Sequence, residues 1–215
     1  MKISLLIMLL TFIVISYLSI PGAIGIFPAN AYSILLQRLI ASSILLIIVI
    51  YYGNREFLSS IFIVTFRAAK WIRIVLIMAI LTVPLMYAQS NFDTGRIEVF
   101  RISWTYSLII IYFICSGIYF LLFELTLRGI FLNWLTQAYS PPLAVSFNVL
   151  VYAYMHIPKS LVEAVVCVPF GLLLCIATIR TRSILPAMIM HFIVGLCLEG
   201  LIIYHISNQS KIFQP

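Results

Sequence analysis

Acidic side chains are scarce in this sequence: Asp and Glu number six among 215 residues, and charged residues of both signs reach only 9%. A soluble domain carries about 25% charged residues, so a fully water-exposed globular surface is excluded. No low-complexity tract, internal repeat or polar linker breaks the chain, which argues for one integral domain over residues 1–215. Cys115, Cys167, Cys175 and Cys197 lack CxxC spacing and lie inside apolar runs. That pattern suits small packing residues and makes neither a disulfide framework nor a zinc site. The 13 Lys and Arg stand singly between apolar runs, so the net charge of +7 reads as membrane orientation and not as nucleic-acid binding.

What the chain has in place of charge is apolar length. Hydrophobic residues make up 64% of it, and the mean hydropathy is +1.17. A spanning helix needs roughly 20 apolar residues, and in lipid only helices or closed barrels satisfy their backbone groups. Apolar stretches at 3–20, 31–52, 74–90, 104–137, 142–157, 161–179 and 184–206 predict an all-α, polytopic transmembrane bundle of about seven spans. The first run could pass for a signal peptide, but no small-x-small cleavage site follows it, and a retained first span is expected. Between the second and third spans, Arg55, Arg67, Lys70 and Arg73 alternate with Phe57, Ile61, Phe62 and Trp71, as in a cytoplasmic interfacial helix. Lys2, Arg180 and Arg182 then also face the cytoplasm, and the charge-balanced 91–103 loop faces outward, giving a cytoplasmic N-terminus. At 1.5 Å per residue the 104–137 stretch would reach ~50 Å, so it must tilt, protrude or break. Pro141-Pro142 stops it and opens the next helix.

Ionisable groups inside such runs cost about 2.5 to 3.5 kcal/mol each on insertion scales, so those that persist face a partner or a wet cavity. Glu124 and Arg128 sit four apart on one helical face. Asn148, Tyr152 and His156 form a polar stripe at the same spacing, and Ser183, Ala187, His191, Gly195 and Glu199 share another face whose small members admit a close neighbour. Glu199 is expected near the outer surface, and Glu163, near a helix start, is expected to cap it or face headgroups. A carboxylate able to take a proton from water, beside imidazoles able to donate to an oxyanion, can hydrolyse an amide. Glu124, His156 and His191 could equally hold a divalent metal whose bound water is the nucleophile. The residues themselves leave both readings open. Asn148 and Tyr152, on the stripe that His156 completes, are candidates for substrate contact.

Three segments carry a family resemblance: Phe123-Glu124-Leu125-Thr126-Leu127-Arg128, Tyr152-Ala153-Tyr154-Met155-His156, and His191-Phe192-Ile193-Val194-Gly195. In that order they resemble the EExxxR, FxxxH and HxxxN motifs of the CAAX protease and bacteriocin-processing (Abi) family of intramembrane endopeptidases, which includes the Ras-converting enzyme. Phe170-Gly171 and Thr181-Arg182-Ser183-Ile184-Leu185-Pro186 agree with the approach to the third motif, and the resemblance covers about 104–200. It implies a membrane-associated peptide or protein substrate, with Glu124 as base, Arg128 orienting it, and His156 and His191 as donors. Two departures qualify this. Phe123 stands where the family has the water-activating glutamate, and Gly195 where it has an oxyanion-binding asparagine. The alternative implied is an impaired member that holds a membrane protein partner as a scaffold, an immunity protein or a subunit of a larger complex. Because neighbouring residues on an α-helix point ~100° apart, Glu124 inherits the missing role only if the helix is rotated or bulged there.

Overall fold

A computed structural model describes residues 2–18, 31–52, 106–157 and 161–212, with scattered helical positions between 71 and 87. The interfacial segment expected at 53–73 lies almost wholly outside the described residues, as does the 91–103 loop. The described elements are helical throughout: α1 (Lys2–Leu18), α2 (Ala31–Tyr52), α3 (Tyr106–Glu124), a π-helical segment (Leu125–Phe131), α4 (Leu132–Ala138), α5 (Pro141–Tyr154), α6 (Leu161–Thr181) and α7 (Leu185–Ile212). Apolar sequence in lipid leaves the backbone this one open-chain solution.

Four helices among the described residues are long and apolar enough to cross a bilayer: Tyr32–Tyr52, Tyr106–Ala138, Leu161–Thr181 and Leu185–Ile202. The 142–157 stretch, expected as a full span, forms the 14-residue α5. At ~21 Å it falls short of a ~30 Å hydrocarbon core. Its start follows from proline chemistry, since Ser140 is extended (ψ 147°) and Pro141 opens the first turn, where a missing N–H costs nothing. Its end tightens through His156 N–H donating to Ala153 O and Ile157 N–H to Tyr154 O.

The long helix does not break. Tyr106–Ala138 runs continuously for 33 residues and absorbs a π-helical stretch in its interior. Around this pillar α2 and α7 pack on α3, α5 packs on α4 and α6, and α2, α5 and α6 all meet the π segment. The largest apolar cluster joins Phe12, Leu45, Phe123, Leu127, Phe131, Tyr152 and Cys175. Exposed Leu, Ile and Val line the outer faces, as a lipid-facing bundle requires. All four cysteines are free thiols, with Cys167 and Cys175 buried.

Candidate functional site

The π segment begins one residue after Glu124, and its widened turn is visible in the bond from Leu132 N–H to Leu127 O, five residues back. Such bulges disturb the register of side chains along a helix and frequently mark functional sites. Leu127 O also accepts a hydrogen bond from Asn148 Nδ2 at 2.8 Å, while Asn148 Oδ1 accepts from Cys175 Sγ at 3.2 Å. Asn148 is fully buried and braces the π segment from α5. Thr126 closes its own turn through Oγ1 donating to Leu122 O at 2.8 Å.

With the helix so distorted, Phe123 and Glu124 both face α7. Glu124 Oε1 accepts from Arg128 Nη1 at 2.9 Å and lies 2.6 Å from His191 Nδ1. The Phe123 ring meets the same imidazole edge-on at 5.6 Å. Both members of the Glu124–Arg128 pair have side chains at 0% exposure, so the charges hold only because each neutralises the other. Glu124 Oε2 and Arg128 Nε and Nη2 are buried without a hydrogen-bond partner. Arg128 also lies over the Tyr152 ring at 4.2 Å, a cation–π contact between two buried side chains. Gly171 makes room for it: a Cβ there would come within 2.8 Å of Tyr152 and 3.4 Å of Arg128 Nη2.

His191 is enclosed by rings, with Phe120 at 5.0 Å, Tyr152 at 5.8 Å and Phe170 at 6.1 Å. The asparagine that the resemblance expects at Gly195 has no space, because a Cβ on Gly195 would stand 2.6 Å from Phe120 Cε2. His156 turns elsewhere. Its Nδ1 meets Tyr152 O at 2.8 Å, and its Nε2 faces Glu163 Oε1 at 3.7 Å. Glu163, in the first turn of α6, is therefore buried beside His156 and does not face headgroups. Tyr152 links the two histidines, lying 4.6 Å from the His156 ring and 5.8 Å from His191. Thus Glu124, Arg128 and His191 share direct bonds, while His156 joins them through Tyr152. Among the described residues no three His, Cys, Asp or Glu gather as metal ligands, so Glu124, His156 and His191 do not form a ready metal centre.

Residues 102–197 match the family described as Type II CAAX prenyl endopeptidase Rce1-like. Over that segment, somewhat less than half of the chain, the protein is similar to this family. No curated relative and no solved structure matches. The matched segment starts just ahead of α3 and ends within α7, so the Glu124–Arg128–His191 cluster lies inside it, and α1 and α2 lie outside.

A second buried ion pair went unread in the sequence. Arg38 Nη2 donates to Glu199 Oε1 at 2.8 Å and approaches Tyr112 Oη at 3.4 Å. Glu199, expected to be exposed, is thus only 4% exposed and lies inside the bundle. Arg38 stacks on Tyr119 at 4.8 Å and Phe120 at 5.8 Å, and Phe120 carries the contact on to His191. The signal was present: Arg38 sits mid-run in an apolar stretch, where the same insertion cost applies.

Proposed function

We propose that the chain is an intramembrane endopeptidase of the CAAX type, in which Glu124 takes the water-activating role that Phe123 has vacated. The π segment carries this reading, because the role can pass from position 123 to 124 only where the helix is locally rewound. Glu124 Oε1 is held by Arg128 and His191, which leaves the buried Oε2 without a partner and able to bind a water. In the step this supports, Oε2 takes a proton as the water oxygen bonds to the scissile carbonyl carbon. The proton then passes to the departing amine as the C–N bond breaks. His191, oriented through Nδ1, keeps Nε2 for proton exchange with that amine. Tyr152 flanks the imidazole and Asn148 supports the helix, so substrate contact falls to Tyr152 more than to Asn148. The substrate would be a membrane-associated peptide or protein, and the N-terminus lies in the cytoplasm.

Comparing cleavage products between wild type and Glu124→Gln tests the reading. At least a 100-fold loss of product is expected, and identical peptide profiles would overturn it.

One observation favours a second reading, a catalytically impaired member that holds a membrane partner. The 2.6 Å Glu124–His191 contact leaves no space between them for water, and Phe120 and Phe123 fill the positions of two missing polar groups. Phe123→Glu separates the two readings. A large gain of proteolysis in that variant supports the impaired form, and loss or no change supports Glu124 as the working base.

A further inference from the structure

A cavity of about 460 Å³ opens where α4 and α6 end and α7 begins. Its wall includes Arg128, Asn133, Thr136, Thr178, Arg182 and Ser183, together with apolar residues, and none of the described residues lining it is acidic. Arg128 already shares its charge with Glu124 but keeps Nε and Nη2 buried and unpartnered. Arg182, at the rim, has the positive φ (53°) that L-residues rarely adopt. The turn beyond it is fixed by side chains: Thr181 Oγ1 donates to Ser183 O at 2.9 Å and accepts from Ser183 N–H at 3.2 Å, and Leu185 N–H donates to Ser183 Oγ at 3.2 Å. An exposed arginine whose backbone is fixed at the rim of a concave, acid-free wall can offer its guanidinium to an anion with several acceptor oxygens.

Lipid continuity decides which anion. Ile179 lines the cavity and also continues an exposed stripe with Leu172 and Ile176, one helical face of α6 turned to the bilayer. An amphiphile can therefore seat its charged group in the cavity while its chain runs down that stripe. We propose that this cavity binds the phosphate of an anionic lipid headgroup. The proposal is independent of whether the chain cuts peptides, because nothing in it depends on proton transfer at Glu124.

The test uses the full-length protein in neutral detergent and reads melting temperature, which rises by mass action with any ligand of the folded state. Mixed micelles containing phosphatidylglycerol should raise it saturably and phosphatidylcholine should not. Arg182→Gln should weaken the apparent affinity roughly tenfold or more, the scale of one charge-assisted contact, and Asn133→Asp should weaken it by repulsion. Arg180→Gln, which alters an exposed arginine outside the cavity wall, should leave it unchanged. Equal losses in the position 180 and 182 variants would indicate diffuse surface charge and overturn the site, as would the absence of a saturable shift. Sodium phosphate, compared with sodium chloride at equal ionic strength, distinguishes a free anion: saturation by phosphate alone, abolished by Arg182→Gln, would overturn the lipid assignment.

Discussion

Glu124–Arg128 lies along one helix, four positions apart, whereas Arg38–Glu199 joins α2 to α7 across 161 positions. Both are buried Arg–carboxylate pairs capped by aromatic rings. The backbone beneath them differs. The first pair sits at the mouth of a π segment, adds an imidazole, and has Arg128 in a cavity wall. The second sits on regular α-helix, and its third member is the Tyr112 phenol in place of an imidazole. Buried polar atoms without a partner occur at both pairs, but distorted backbone, tolerated where function needs it, underlies only the first, which supports the proposed chemistry there and a role in assembly for the second.

The largest effect expected is from Arg128→Ala. It strands Glu124 in a site with 0% side-chain exposure, and removing one partner of a buried pair costs about 3 to 5 kcal/mol. Denaturant unfolding in mild detergent should register most of that loss, and a change below ~1 kcal/mol would show that the carboxylate is not charged there. Arg38→Ala should cost about as much or slightly less, because its side chain retains 10% exposure. The double variant Arg38→Met/Glu199→Leu sharpens the comparison: apolar replacement of a purely structural pair is often neutral, so stability should return to within ~1 kcal/mol of wild type with function intact. Replacing Glu124 and Arg128 in the same way should restore stability but not function; equal tolerance at both pairs would erase the distinction between them.

A smaller effect is expected at Gly195, where a Cβ would meet Phe120 at 2.6 and 2.7 Å. Gly195→Ala should cost about 1 to 3 kcal/mol, the usual range for overpacking. The Phe120 ring lies between Arg38 and His191, so its displacement disturbs both pairs. Adding Phe120→Leu should recover part of the loss, and failure to do so would mean that Gly195 is needed for another reason.

The same contrast explains what could be read in advance. The Glu124–Arg128 pair was legible because its partners are local, and helical spacing alone puts them together. His191 was legible as a buried imidazole in need of a partner, and motif order supplied the partner's helix. Arg38–Glu199 was not, since no local rule links positions on α2 and α7, and Glu199 alone reads as a residue near a helix end. At α5 the helix is shorter than a full crossing, because hydropathy measures apolar content and not the helix length bounded by Pro141 and the turn at His156. The π segment has no composition of its own: Leu125–Phe131 is ordinary helix-forming sequence apart from Gly129, and tertiary bonds such as that from Asn148 hold the wider turn.

The smallest effect has the opposite sign and ties backbone strain to the proposed lipid site. Arg182 follows directly on the last residue of α6 with φ 53°, the left-handed position at which a helix end favours glycine. Holding a side chain there costs roughly 1 kcal/mol, partly offset by the entropy that glycine loses on folding. Arg182→Gly should therefore raise unfolding stability slightly, by up to about 0.5 kcal/mol, in lipid-free detergent. The same substitution removes the rim guanidinium, so the stabilisation conferred by phosphatidylglycerol should fall. A residue that is strained yet improves ligand binding shows those two opposed changes together. If Arg182→Gly lowers stability even without lipid, the arginine is making intramolecular contacts worth more than its backbone strain, and its place at the cavity rim reflects packing.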